Sequence, residues 1–136
     1  NHFLINNSWY LVDLPGYGYA KGGNAVREGI KDVISDYITQ SPDLTMLFVL
    51  IDSRFDITAI DLGFLAELAC HRIPFAIILT KADKQGPNVL KARMESDRRI
   101  LSEQWDPLPD MLSSSSVNGS GRDEILSYIE NVLNTI

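Results

Sequence analysis

The amino-acid sequence predicts an α/β protein with a mainly parallel sheet, on three observations. Short apolar runs alternate with segments of helical periodicity. Two of the runs, Met46–Ile51 and Phe75–Leu79, are continuously apolar, as strands covered on both faces are. The residues that follow the runs are small, polar or charged: Asp13 to Gly16, Asp52 to Arg54, Thr80 to Asp83 and Ser114 to Val117. In an open sheet of this class those positions share the rim beyond the carboxyl ends of the strands, where ligands bind.

Each element has its own warrant. Phe3–Ile5 and Trp9–Val12 flank Asn6, Asn7 and Ser8, a hairpin-like connection. Asn24 to about Gln40 places Val26, Ile30, Val33, Ile34, Tyr37 and Ile38 on one helical stripe, with Asn24 as N-cap. After the strand Met46–Ile51, the run Thr58 to Asp61 reads as a capping box opening a helix to about Arg72. Pro74 introduces the strand Phe75–Leu79, and a more polar helix spans roughly Asn88 to Gln104. A weak strand lies at Met111–Ser113. The last helix starts near Arg122 and carries Ile125, Leu126, Ile129, Val132 and Leu133 at helical spacing.

The bulk numbers suit one domain over residues 1–136 with a single core. Twelve basic against eighteen acidic side chains give a net charge of −6, which argues weakly against a broad electrostatic grip on nucleic acid, DNA included, or an anionic membrane. Cys70 is the only cysteine, so a reducing, cytoplasmic compartment is expected. No apolar run approaches the roughly 20 residues that span a bilayer. Lys91, Arg93, Arg98 and Arg99 are interleaved with Glu95, Asp97 and Glu103, which reads as a solvated helix face. His71 closes a helix, where its charge suits the dipole, and two isolated histidines make no metal site. Trp9 and Trp105 read as core or interface anchors.

Three rim segments carry candidate chemistry. An aspartate at a strand end, such as Asp13, can accept hydrogen bonds from water on a magnesium ion, which keeps most of its hydration shell. A glycine three residues on, Gly16, lets a backbone N–H approach a phosphate. A proline–glycine turn after an edge strand is the plain alternative. In Thr80 to Asp83, a fixed carboxylate can accept the ring N–H and exocyclic amine of guanine, a donor pair that adenine lacks. The lysine stem can lie across the purine face with its ammonium in water. A solvated turn after a strand explains the same four residues. Ser115 to Gly121 can turn backbone N–H groups toward the guanine carbonyl, or be an ordinary Ser/Gly/Asn loop.

Taken together and in this order, D-x-x-G, [NT]-K-x-D and S-[SA]-x-x-G-x-G resemble the third, fourth and fifth guanine-nucleotide motifs of the P-loop GTPases. The nine residues DLPGYGYAK (13–21), paired with Thr80 to Lys84, are similar to the EngB branch of bacterial GTPases, and the likeness runs over essentially all 136 residues. The resemblance implies a Ras-like three-layer α/β/α fold, binding of GTP and GDP with magnesium, and GTPase activity. It also implies a role in assembly of the large ribosomal subunit, with its RNA or proteins as partner, and in normal cell division and septation. Position by position, it implies that Asp13 holds magnesium through water, while Leu14, Pro15 and Gly16 form the switch II turn with the Gly16 N–H on the γ-phosphate. Thr80, Lys81, Ala82 and Asp83 would hold guanine, with Thr80 bracing the loop in place of the commoner asparagine. Ser114, Ser115 and Ser116 would line the base, chiefly through backbone.

The sequence departs from that family at several points. It contains no G-x-x-x-x-G-K-[ST] run, whose amides and lysine cradle the phosphates. Gly22 and Gly23 do not replace it. The family's first strand, P-loop, first helix and switch I threonine have no counterpart, so an incomplete G domain is expected, inactive in hydrolysis by itself. The chain is then either a piece of a full GTPase or a remodelled protein that pairs its third and fourth family strands directly. The alternative to a GTPase is a nucleotide-independent interaction module built on the same remnant. Tyr17 stands where many GTPases carry a water-orienting glutamine, so low intrinsic turnover is expected.

Overall fold

A computed structural model of the chain describes residues 2–14, 36 and 44–135. The helix expected over 24–40 lies outside the described residues except for Asp36, which is helical. The chain divides into two compact units, residues 1–43 and 44–136.

In the first unit, β1 (His2–Ile5) and β2 (Trp9–Val12) form an antiparallel hairpin with Ile5 opposite Trp9. Asn6 and Asn7 both take positive φ, at 51° and 53°, and Ser8 N–H donates to Ile5 O at 2.9 Å. Tight hairpin turns need this left-handed pair to match the strand twist, and asparagine tolerates it better than most residues. The expected hairpin is therefore present, with the turn chemistry that its sequence suggests.

The second unit carries a parallel sheet in the order β3 (Leu47–Asp52), β4 (Phe75–Thr80), β5 (Met111–Ser113). The central strand β4 is buried at Ala76, Ile77, Ile78 and Leu79, which is why its sequence is continuously apolar. On β3 the pattern is less uniform: Val49 and Ile51 are buried, but Leu50 is 61% exposed. Three helices follow the strands: α1 (Ala59–Cys70), α2 (Pro87–Leu101) and α3 (Arg122–Asn134). The capping box is complete, since Asp61 N–H donates to Thr58 Oγ1 at 3.1 Å and Thr58 N–H to Asp61 Oδ2 at 2.9 Å. Pro87 sits in the first turn of α2, where its missing N–H costs nothing. At the end of α1, His71 Nδ1 lies 2.9 Å from Glu67 O, the carbonyl that also accepts the His71 backbone N–H at 3.1 Å.

Aromatic edges fix two further contacts, Phe48 against Tyr128 of α3 and Phe75 against Trp105. One expectation is overturned. Asp97 does not belong to a solvated face of α2; it is fully buried, and its Oδ1 accepts the Ile57 N–H at 3.2 Å. Arg93, one turn earlier, pairs with Asp56. The polar side of α2 therefore grips the loop that leads into α1.

Candidate functional site

Strand register builds the site. Asp52 lies opposite Thr80 on β3 and β4, and Leu79 lies opposite Ser113 on β4 and β5. The three carboxyl ends thus finish level, and the polar segments after them meet on one rim. Within this unit the expected convergence of 52–54, 80–83 and 114–117 is what the strands produce.

The segment after β4 turns sharply. Lys81 adopts a left-handed conformation, φ 57° and ψ 38°, and Ala82–Lys84 form a single 3-10 turn. Neighbouring strand ends hold that turn from both sides. Ser53 N–H donates to Thr80 O at 2.9 Å, Ser53 Oγ to Lys81 O at 3.1 Å, and Ala82 N–H to Ser114 O at 2.9 Å. The Thr80 hydroxyl turns instead toward Ile51 O, at 3.4 Å. Bracing of this turn thus comes chiefly from its neighbours' hydroxyl and amide groups.

Asp83 follows, its side chain 15% exposed. Ser115 Oγ donates to Asp83 Oδ1 at 2.7 Å, the length of a charge-assisted bond. Among the described residues, the cation paired with it is Lys84, whose Nζ stands 4.0 Å from Oδ2 and is itself largely in solvent. Ser115 is 4% exposed, and its Oγ also accepts the N–H groups of Val117 at 3.1 Å and Asn118 at 3.3 Å. One hydroxyl therefore shapes the loop and aims the carboxylate.

The loop backbone is mostly committed. Ser114 N–H donates to Leu79 O at 2.8 Å, and Ser115 N–H to Ser120 O at 3.0 Å. Among the described residues, the exposed Ser116 has no backbone partner for its N–H, which leaves it as a donor available to a ligand. Gly121 closes the loop at φ 81°, where a Cβ would stand 1.8 Å from Ser113 O, so only glycine fits.

At the end of β3, Arg54 binds Asp52 through Nε and Nη2, at 3.0 and 2.8 Å, and Lys81 Nζ lies 3.2 Å from Asp52 Oδ2. The guanidinium hydrogen bonds outweigh burial and hold the Asp52 carboxyl well below the usual carboxylate range. Sequence reasoning put Asp52, Ser53 and Arg54 on the rim but gave them no task. The signal was their place directly after an apolar strand.

The remaining expected residues lie in the first unit. Asp13 is exposed just after β2, Leu14 is partly buried, and Pro15 and Gly16 lie outside the described residues. Among the described residues no three His, Cys, Asp or Glu side chains gather as a metal site. No helix among them is long and apolar enough to cross a membrane.

No protein-family model matches the chain. Individual relatives do. A protein of Bacteroides thetaiotaomicron named as probable GTP-binding protein EngB is 53% identical over 132 residues, covering 97% of this chain and 65% of the relative. Its namesake in Christiangramia forsetii is 43% identical over 136 residues, covering 100% of this chain and 69% of the relative. The chain belongs to the EngB family. It spans about two thirds of the length of these EngB relatives. Among solved structures, the apo translation elongation factor SelB of Methanococcus maripaludis matches with a TM-score of 0.71 at 20% identity, over 92% of this chain and 25% of that one. The same factor with the GTP analogue GppNHp gives a TM-score of 0.63 at 20% identity, over 76% and 23%. At that identity the likeness concerns the fold alone, and the fold of this EngB chain is of the α/β class.

Proposed function

We propose that this chain carries the guanine-recognition half of an EngB-type GTPase. The observation that supports it is the Asp83 carboxylate, aimed by the neutral Ser115 hydroxyl at 2.7 Å, with Lys81 two residues before it and, next to Ser115, a Ser116 N–H that has no backbone partner among the described residues. Guanine offers two N–H donors to a carboxylate and one carbonyl to an amide donor. Adenine presents the wrong partner at both edges: its amine would face the Ser116 N–H, its N1 lone pair would face one Asp83 oxygen and its C2–H the other, so neither oxygen would gain a donor. A buried polar group left unpaired costs about 1–3 kcal/mol, so the two edges together discriminate strongly. Lys81 would cover the purine with its methylene stem.

By family resemblance, Asp13 would meet a magnesium ion through water and Gly16 would offer its N–H to the γ-phosphate. Base recognition by Asp83 does not need the magnesium ion. By family resemblance the complete protein would act as a cytoplasmic GTPase in assembly of the large ribosomal subunit and support cell division and septation.

A ligand-observed NMR titration with GDP, ADP and xanthosine diphosphate tests the base site. The chain should prefer GDP to ADP, and Asp83→Asn should weaken GDP by about tenfold while improving the xanthosine nucleotide, whose 2-oxo group suits an amide donor. Equal affinity for GDP and ADP, or an indifferent Asp83→Asn, would favour a nucleotide-independent interaction module.

A further inference from the structure

The end of β3 does something that neither the strand nor the base-recognition motif requires. Lys81 is the residue whose backbone must leave the usual regions, at φ 57°, and whose side chain is 53% exposed. A long exposed lysine ordinarily samples many rotamers, and ordering it costs entropy. Here three groups from one tripeptide restrain it. Ser53 N–H fixes the preceding carbonyl of Thr80, and Ser53 Oγ, fully buried, donates to Lys81 O at 3.1 Å. Asp52 Oδ2 receives the ammonium at 3.2 Å. Arg54 in turn orients Asp52, since its backbone N–H donates to Oδ1 at 3.0 Å and its guanidinium grips both oxygens.

We propose that Ser53 and Asp52 are positioning residues for the base site: Ser53 sets the left-handed turn at Lys81, and Asp52 pins the lysine head so that its stem is laid down before a purine arrives. This rests on the reading of Lys81 and Asp83 as the guanine site. It adds that a hydroxyl and a carboxylate from the neighbouring strand, rather than Thr80, hold that site in shape. Pinning one end of the stem in advance removes part of the ordering cost from ligand binding.

The test has two arms on the same variants, Ser53→Ala and Asp52→Asn. The first needs no ligand. The Lys84 N–H donates to Lys81 O at 3.0 Å and the Ala82 N–H to Ser114 O, so both amides report the turn. Amide exchange there should rise about tenfold in Ser53→Ala, referenced to the Ile77–Leu79 amides of β4, which should not move. In Asp52→Asn the signature is faster motion of the Lys81 Cε methylene in NMR relaxation, with the amides near wild type. The second arm is nucleotide affinity. Ser53→Ala should weaken GDP about tenfold, and Asp52→Asn about threefold because its partner is half-exposed, and both should narrow the GDP-to-ADP ratio.

Unchanged exchange and unchanged Lys81 motion would overturn the proposal. So would a loosened turn with GDP affinity and base preference intact. A wild-type chain that binds no guanine nucleotide would sink the guanine reading itself, and the ligand-free arm would still decide whether Ser53 and Asp52 hold Lys81.

Discussion

Replacing Ser115 by alanine should loosen the whole 81–121 rim, and the cost can be worked from the bonds that Oγ makes. The bond to Asp83 Oδ1, 2.7 Å long and made to an ionised group inside a nearly buried residue, contributes about 1.5–3 kcal/mol. The two bonds accepted from Val117 and Asn118 belong to exposed residues whose N–H groups can turn to water, so they add little. Removing one oxygen atom leaves a void too small to matter beside these. A loss of about 2 kcal/mol follows, or a melting temperature about 6–10 °C lower for a domain of this size. A double-mutant cycle with Asp83→Ala in urea unfolding isolates the pair, and a coupling of about 1.5–3 kcal/mol is expected. Coupling below about 0.5 kcal/mol would mean that the hydroxyl does not aim the carboxylate, and the argument for the site would lose its main support.

Other changes probe the same framework. Gly121→Ala should cost about 3 kcal/mol or more in urea unfolding, because its Cβ would stand 1.8 Å from Ser113 O at a φ of 81°; a loss under about 1 kcal/mol would contradict that geometry. Asp97→Asn tests a buried charge: burial pushes the Asp97 carboxyl up, and Oδ2 has no partner among the described residues. The folded state then holds its proton at pH values where the unfolded chain has released it, so this group's contribution to stability falls as pH rises from the ordinary carboxylate range toward neutrality. The introduced amide keeps an acceptor for Ile57 N–H without the charge, so the variant should gain on the wild type as pH rises; parallel stability–pH curves would refute this. Tyr128→Phe should cost about 1 kcal/mol through its 2.7 Å bond to Asp110 Oδ2. Burial and that carboxylate push the Tyr128 phenol up to about 12, so one tyrosine should ionise later than the others in an absorbance titration.

What could be read from sequence was local, and what could not was long-range. The capping box of Thr58 and Asp61 is three residues wide and was visible, as was the asparagine turn after Ile5. The continuous apolar run of β4 announced a strand buried on both faces, while the similar run of β3 gave no hint that Leu50 would be 61% exposed. Composition made the 114–121 loop look ordinary because its decisive bond joins Ser115 to a residue 32 positions earlier. Asp97 looked like part of a charged surface because its partner, the Ile57 amide, lies 40 positions away and is an ordinary backbone group. Helical periodicity places a side chain on a face; it does not reveal a loop that folds over that face.

The rim aspartates of the second unit differ in their partners, and the difference suits Asp52 to a structural role and Asp83 to the ligand-reading role proposed for it. Asp52 ends β3 opposite Thr80, and Asp83 lies three residues beyond Thr80 in the turn after β4. Asp52 is met by two cations, and their hydrogen bonds occupy both oxygens and neutralise it. Any N–H of a base would have to displace a guanidinium there, losing a charge-assisted bond to gain a neutral-donor one. Asp83 is met by a hydroxyl on one oxygen and by a lysine only at 4.0 Å on the other. A neutral donor fixes the direction of a carboxylate without spending its charge, and each oxygen retains a lone pair for an incoming N–H. Exchanging the partners, with an arginine facing Asp83, would therefore abolish guanine preference even with the motif Thr80 to Asp83 untouched. Selectivity of the proposed base site would reside as much in Ser115 as in the aspartate it aims.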